Sequence, residues 1–275
     1  MGIELKLLRS EWAVNLRIGL SYLADIYSLE DRASNLIEES NKVTVHYEGL
    51  RSEVYDDVND ISSTSVDGIA VVKLSGAMLL DDGLCHTGIG TFCSRLRALD
   101  ELKSIKGILV EVDSGGGESQ AGQLLYSTMK DLKKKTGAIV HTAASAAYMG
   151  ILPADFIMAV GELSLTGSIG ALYSIDKEIL RMLKEDYLTV YSDLSPQKNI
   201  ETRELLEDVD IGIKSLLNDT VEIFHDMVLN TRALTYKKKD TLEGGVFRSR
   251  EAKKRGLIDH IGSYNKALTL MNKII

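Results

Sequence analysis

The feature that most constrains this chain is an alternation, between Gly107 and Ser174, of short apolar runs with turns made of small residues. The runs Gly107 to Asp113 and Ala138 to Ala143 have the length and the β-branched content of buried strands. An earlier strand is predicted at Gly68 to Gly76, and a helix at Thr91 to Asp100. Strands that alternate with helices in this order predict an α/β fold with a parallel-type sheet and crossover helices.

Ser145 lies at the turn between the second of these strands and the next predicted helix, which begins at Ala146. A hydroxyl at such a turn lies near unpaired backbone N–H groups and the positive end of a helix dipole, as a nucleophile requires. A serine before an Ala-rich helix is more often an N-cap than a nucleophile. The neighbouring residues distinguish the two roles. The glycines Gly115, Gly116 and Gly117 let the backbone turn its N–H groups toward a ligand, as an oxyanion hole requires. They favour a catalytic role for Ser145.

Three motifs follow one another in a fixed order along this part of the chain. They are Val112-Asp-Ser-Gly-Gly-Gly117, Ala143-Ala-Ser-Ala-Ala-Tyr148 and Thr166-Gly-Ser-Ile-Gly170. This order resembles the signal peptide peptidase A family of serine peptidases (the S49 type), which includes phage prohead proteases. Gly245 to Gly262 is similar to that family's C-terminal segment, so the resemblance covers about Gly68 to Met271. Several ordered motifs are much more specific than any one of them alone.

The resemblance implies the Clp/crotonase-like fold, a spiral of ββα units, and a Ser-Lys dyad in which Ser145 is the nucleophile. The family's base lysine lies in a loop after a strand, and Lys198 matches that position. Here the loop follows a predicted strand at Leu188 to Asp193 and precedes a predicted long helix from Glu201 to Ala233.

The rest of the site follows from the same resemblance. It places the oxyanion and substrate-binding groups at Gly116, Gly117 and Ala146, and it makes Ser168 the residue that orients the lysine. A turn serine that bonds its own backbone is an equal alternative for Ser168. The chain departs from the family in having Gly115 where proline is usual, which gives the glycine turn more backbone freedom.

The residues themselves leave the base of Ser145 open. A Ser-His-Asp triad would need a histidine after the nucleophile, but none occurs before His225, and His141 fits a packed strand residue better. A lysine base must be desolvated enough to be neutral near pH 7. Lys177 and Lys184 lie on a predicted helix with polar neighbours, which is typical of a solvated face.

Lys214, inside the predicted long helix, is the alternative to Lys198 as the base. No metal or cofactor is implied. Cys85 and Cys93 form no zinc pattern and require no disulfide. The net charge of -8 and the pI near 5.3 argue against a general nucleic-acid binder. Neither composition nor charge indicates stable membrane insertion, and a reducing cytoplasm is expected.

The N-terminal quarter is predicted to be separate from the peptidase domain. Residues 1–47 form a predicted helical extension, 48–67 a charged and Ser-rich linker, and 68–275 the Clp/crotonase-like domain. The apolar positions of the extension recur at steps of three and four, at Leu5, Leu8, Trp12, Leu16, Leu20, Leu23 and Ile26. The apolar extension and the long helix predict a homo-oligomer, and the resemblance implies association in rings or domes.

These observations predict a serine endopeptidase that acts on protein or peptide substrates. Because the sequence indicates neither a membrane anchor nor a signal peptide, we expect a phage prohead or capsid maturation protease, located in the host cytoplasm or the prohead and acting on capsid or scaffold protein. Three alternatives stay open: a cellular peptidase like signal peptide peptidase A, a catalytically inactive assembly scaffold of the same fold, and a crotonase-type acyl-CoA enzyme. The serine in its small-residue turn favours a peptidase over a crotonase.

Overall fold

The computed structural model describes residues 12–14, 42–47, 52–61, 67–83 and 87–275, and these form one ten-stranded sheet with helices. The strands are β1 (Trp12–Val14), β2 (Val43–Tyr47), β3 (Ser52–Tyr55), β4 (Gly68–Met78), β5 (Ile105–Glu118), β6 (Lys135–Ala144), β7 (Phe156–Val160), β8 (Leu165–Gly167), β9 (Val246–Arg248) and β10 (His260–Gly262). The helices in these ranges are α1 (Val58–Ile61), α2 (Ile89–Glu101), α3 (Ser119–Asp131), α4 (Ala146–Ile151), α5 (Lys177–Glu185), α6 (Ile200–Leu206), α7 (Ile211–Thr231), α8 (Lys238–Thr241), α9 (Ser249–Arg255) and α10 (Tyr264–Ile274).

The centre of the sheet is parallel, and its strands are joined by helices. The order along the main path is β10-β7-β6-β5-β4-β2-β3. The pairs β4–β5, β5–β6, β6–β7 and β7–β10 are all parallel. Because α2, α3 and α4 connect β4, β5, β6 and β7 in turn, each connection is a helical crossover. The predicted α/β fold, with a parallel-type sheet and crossover helices, is therefore confirmed.

Apolar side chains cover both faces of this sheet. On one face the strands pack against α2, α3 and α4, where Leu96, Leu125 and Tyr148 are fully buried. On the other face α10 contributes Ala267 and Met271 to a smaller cluster. With helices on both faces, the central strands are buried on both sides and contain continuous apolar runs instead of strict alternation.

The N-terminal region differs from its prediction wherever the structure describes it. Trp12–Val14 and Val43–Tyr47, predicted as helix, are the strands β1 and β2. Within the predicted linker, residues 52–61 form β3 and α1. The side chains of β2 alternate between buried and half-buried, a period of two that is typical of a strand. The remainder of the predicted helical extension, residues 1–11 and 15–41, lies outside the described residues.

Two further differences concern the region around Lys198. The predicted strand at Leu188 to Asp193 has no ladder partner among the described residues and forms no regular structure. Its apolar side chains at Leu188 and Val190 are 94% and 83% exposed. The predicted long helix is two helices, α6 and α7, separated by a break at which Asp208 has φ 58°. Alternating apolar residues form a strand only where a neighbouring strand pairs with them, and none does here.

Candidate active site

The register of the central strands places Ser145 beside the glycine turn. In the β5–β6 ladder Asp113 is opposite Thr142, and Ser114 is opposite Ala143. Because the two strands are parallel, the residues that follow these pairs emerge at the same edge of the sheet. Ser145 follows the last residue of β6, and Gly116 lies at the corresponding point of β5. The fold therefore brings the predicted nucleophile and the predicted oxyanion glycines together.

The backbone of Ser145 has an unusual conformation. Its φ of 55° with ψ of -123° is a sparsely populated region for a residue with a side chain, and such strain persists only where the surroundings impose it. Two backbone hydrogen bonds hold the turn: the Ser145 N–H donates to Gly167 O at 2.8 Å, and the Met149 N–H donates to Ser145 O at 2.9 Å. A strained strand-to-helix turn of this kind presents a side chain outward at the end of a strand, as in nucleophile elbows.

The hydroxyl of Ser145 does not cap α4. No side-chain capping bond is formed, and the hydroxyl makes one long contact of 3.4 Å with Gly170 O. Ser145 thus occupies the N-cap position of α4 without supplying a side-chain cap. Packing around the turn is tight, because a Cβ added at Gly122 of α3 would lie 2.9 Å from Ala146 O. This close approach explains why small residues flank Ser145.

The glycine turn is part of β5 and not the separate loop that was predicted. Gly116 has φ 100°, and its N–H donates to Ser114 Oγ at 3.2 Å. The Ser114 hydroxyl in turn donates to Gly76 O at 2.6 Å. Gly117 packs so closely on β4 that a Cβ there would lie 2.0 Å from Met78 O. The N–H of Gly116 is thus engaged by a serine whose role the sequence analysis missed, although it directly precedes the glycines.

The loop that carries Ser168 is joined to the nucleophile strand. β8 pairs with the end of β6, with Thr166 opposite Ala143 and Gly167 opposite Ala144. Ser168 has φ 54°, and its N–H donates to Gly245 O at 2.7 Å. In the described part of the chain its hydroxyl has no hydrogen-bond partner, so it does not bond its own backbone. The buried Thr166 hydroxyl, which sequence reasoning did not identify, likewise lacks a partner among these residues.

The C-terminal strand β9 and the start of α9 form hydrogen bonds with this loop. β9 pairs antiparallel with β8 and places Phe247 opposite Thr166. At the start of α9 the Ser249 hydroxyl donates to Gly161 O at 2.7 Å. Residues distant in sequence from Ser145 thus hold the loop that accepts the Ser145 N–H.

Among the described residues, no lysine or histidine side chain is hydrogen-bonded to the Ser145 hydroxyl. Lys198 lies in an exposed turn, and its side chain forms no hydrogen bond or ion pair with any described residue. Lys214, the alternative, pairs with Asp210 at 2.8 Å on the surface of α7. His141 contacts Glu111 at 2.8 Å and not the nucleophile. His86 lies outside the described residues.

Comparison with known proteins decides the family. The model of peptidase family S49 matches residues 128–274, which is more than half of the 275-residue chain. The chain belongs to peptidase family S49. The match includes Ser145, Ser168 and Lys198, and it begins after the glycine turn of β5. Membership of the signal peptide peptidase A group, expected from the three motifs, is therefore confirmed.

Relatives of this S49 chain occur in archaea, plants and bacteria. A protein of Methanocaldococcus jannaschii named as a protease is 30% identical over 193 residues, which are 65% of this chain and 60% of that protein. The chloroplastic serine protease SPPA of Arabidopsis thaliana is 27% identical over 220 residues, 74% of this chain and 32% of the relative. Protease 4 of Haemophilus influenzae is 24% identical over 254 residues, which are 89% of this chain and 39% of that protein. The chain thus spans less than two thirds of the length of these three relatives.

Two solved structures are similar to the S49 chain at low sequence identity. An enoyl-CoA hydratase/isomerase family member is 14% identical with a TM-score of 0.47, covering 76% of this chain and 73% of its own. A ClpP1 mutant from Listeria monocytogenes is 15% identical with a TM-score of 0.46, and the match covers 72% of this chain and 94% of the ClpP1 chain. Separately, none of the helices in the described ranges is both long and apolar enough to span a bilayer.

Proposed function

We propose that this S49 chain is a serine endopeptidase with Ser145 as its nucleophile. The observation that carries the proposal is the backbone of Ser145, held at φ 55° with its hydroxyl not used as a cap. A strained conformation that leaves a hydroxyl without a structural task, at a strand end beside a glycine turn, suits attack on a carbonyl. Incubation of the full chain with casein, in parallel with its Ser145→Ala variant, tests the proposal.

The proposed chemical steps use Ser145 and the backbone groups at this edge of the sheet, together with Lys198. A neutral Lys198 amine takes the Ser145 hydroxyl proton as the oxygen bonds to the peptide carbonyl carbon. Backbone N–H groups of Gly116, Gly117 and Ala146 stabilise the negative oxygen of the tetrahedral intermediate. The C–N bond then breaks, the lysine returns the proton to the leaving amine, and water hydrolyses the acyl-enzyme ester. The Ser168 hydroxyl, which lacks a partner among the described residues, would orient the lysine amine.

The lysine reaches the nucleophile, in this proposal, through subunit association. A lysine base requires a desolvated environment, and Lys198 lies in an exposed turn. Leu188, Val190 and Leu194 of the preceding segment are 94%, 83% and 95% exposed. Large apolar side chains clustered at the surface are typical of an interaction site. A homo-oligomer that buried this segment would also remove water from around Lys198.

The oxyanion donors require a local rearrangement. The Gly116 N–H bond to Ser114 Oγ is long at 3.2 Å, so a developing oxyanion would compete for it effectively. Gly115, where the family usually has proline, gives the turn the backbone freedom for this exchange. The oxyanion hole would then form on substrate binding.

A finer proposal concerns the biological substrate. We propose a phage prohead or capsid maturation protease that cleaves capsid or scaffold protein in the host cytoplasm or the prohead. The family that the three sequence motifs indicate includes phage prohead proteases. A cellular peptidase like signal peptide peptidase A is the alternative, and one relative is named as the chloroplastic serine protease SPPA. Cleavage of a purified scaffold protein at defined sites, at a much higher rate than casein under the same conditions, would support the phage role, and equal rates on both would support the cellular one.

A catalytically inactive assembly scaffold is the second candidate function. The observation that favours it is the lack of any hydrogen bond between Lys198 and Ser145 within the described part of one chain. An inactive scaffold would assemble but would not cleave casein in any oligomeric state. Size-exclusion chromatography followed by the casein assay on each fraction distinguishes the two functions.

A further inference from the structure

The N-terminal strand β1 pairs with the glycine turn of the site. Its three residues run antiparallel to the end of β5, with Trp12 opposite Glu118, Ala13 opposite Gly117 and Val14 opposite Gly116. A strand from the beginning of the chain therefore lies along the proposed oxyanion glycines.

The ladder partners of β5 show which side β1 uses. A strand has two hydrogen-bonding sides. β4 pairs with one side of β5 as far as Gly117, which is opposite Met78. The other side belongs to β6 as far as Ser114, and β6 then ends at Ala144. Beyond that point β1 occupies the side that β6 has left. This is the side of β5 on which Ser145 lies.

An extended substrate would need the same place. A peptide to be cleaved must put its carbonyl carbon next to the Ser145 hydroxyl and its carbonyl oxygen next to the glycine N–H groups. A peptide that pairs as a strand with Gly116–Glu118, on the side of β5 beyond β6, meets both conditions, because main-chain hydrogen bonds align it. β1 is an extended peptide in that position, and it belongs to the chain itself.

We propose that β1 is an intramolecular occupant of the peptide-binding edge and competes there with substrate. The proposal rests on the proposed peptidase function. The ladder is only three residues long, so β1 leaves and returns, and a substrate binds in the fraction of time during which the edge is free. Occupancy by β1 weakens the apparent substrate affinity by that fraction and leaves the chemical step unchanged.

The test uses the full chain with Ser145→Ala, which binds peptide without cleaving it. Ala13→Pro removes one N–H and fixes φ near -65°, so the centre of β1 no longer fits the ladder. Ala13→Ser, which keeps the N–H, is the matched control. The probe is a fluorescein-labelled synthetic peptide with the sequence Arg9-Ser-Glu-Trp-Ala-Val-Asn-Leu-Arg17, and its binding is followed by fluorescence polarisation. We expect the proline chain to bind it at least about tenfold more tightly than the serine chain.

Hydrogen exchange supplies a readout that does not depend on binding affinity. In the proline chain the amides of Gly116–Glu118 should exchange faster than in the serine chain, and added probe should protect them again. In the serine chain, saturating probe should increase exchange at residues 12–14 as β1 is displaced; this measurement remains valid if the proline chain unfolds. Equal affinities, unchanged exchange at Gly116–Glu118, failure of the probe to bind, or continued protection of residues 12–14 would each overturn the proposal.

The outcome is separable from that of the proposed function. All chains in this test carry Ser145→Ala, so neither binding nor exchange requires catalysis. If wild-type protein fails to cleave casein while the exchange results hold, β1 still covers a peptide-binding edge and only the peptidase assignment falls.

Discussion

The N–H of Ser145 donates to the carbonyl of Gly167 at 2.8 Å, so the strained turn of the nucleophile is held by the loop that continues into Ser168. The N–H of Ser168 donates in turn to Gly245 O, in the segment that leads into β9. Three separate parts of the chain therefore fix one turn. Mutations in the C-terminal segment should affect the nucleophile through this chain of backbone contacts.

Replacement of the nucleophile should abolish activity and leave the fold intact. Ser145→Ala removes a hydroxyl whose one hydrogen bond is 3.4 Å long, so the free energy of unfolding should change by less than about 1 kcal/mol. Casein cleavage should fall by at least about 10³-fold, because no other group replaces the nucleophile. Ser94→Ala, on the exposed face of α2, is the control and should cleave normally. Equal cleavage by wild type and Ser145→Ala would exclude Ser145.

Replacement of Lys198 distinguishes a base from a positive charge. A guanidinium does not deprotonate near neutral pH, so Lys198→Arg should be as inactive as Lys198→Ala. Initial rates of casein cleavage measure the effect, and Lys238→Arg, an exposed lysine of α8, is the control. An arginine variant that retained most of the rate would show that the position requires only charge. The base would then have to be sought at Lys214 or a histidine.

Complementation tests whether the dyad forms between subunits. If Lys198 acts on the Ser145 of a neighbouring subunit, co-expressed Ser145→Ala and Lys198→Ala chains should recover part of the wild-type casein activity. Some interfaces would pair an intact serine with an intact lysine, and wild-type activity per chain should fall on dilution. Cleavage rates of purified mixed oligomers measure the recovery. No recovery would place both groups in one subunit and remove the link between assembly and activity.

The ion pair between Arg232 and Asp259 should contribute to stability. The guanidinium forms two hydrogen bonds to the carboxylate, at 2.7 and 3.1 Å, and the arginine side chain is only 10% exposed. Asp259 also accepts the N–H of Ile157 in β7. Arg232→Ala leaves this carboxylate without its charge partner, so the free energy of unfolding in urea should fall by about 2–3 kcal/mol.

A second ion pair provides the control for this prediction. Arg250 contacts Glu162 at 2.7 Å, but its side chain is 82% exposed, and such pairs contribute at most about 1 kcal/mol. Arg250→Ala should therefore change the urea midpoint little. Similar losses for Arg232→Ala and Arg250→Ala would contradict the assignment of stability to burial of the first pair.

Much of the central sheet could be predicted from the sequence. The strands β4, β5 and β6 and the helices α2 and α4 follow from apolar runs and turn residues that are local in the chain. The position of Ser145 at a strand-to-helix turn is local for the same reason. Its φ of 55° and its uncapped hydroxyl are not local, because contacts with Gly167 and Gly170 impose them.

Pairing with distant residues decided what the sequence pattern could not. The apolar alternation at Leu188–Asp193 looks like a strand, but without a neighbour its amides and carbonyls have no ladder to join. Trp12–Val14 fits a helical periodicity, yet its backbone pairs with Gly116–Glu118, on the side of β5 that β6 no longer covers. The sequence by itself determined the order of strands, helices and reactive residues along the chain. Only tertiary structure decided which backbone groups face the nucleophile, because each hydrogen bond of a sheet needs a partner that local sequence does not specify.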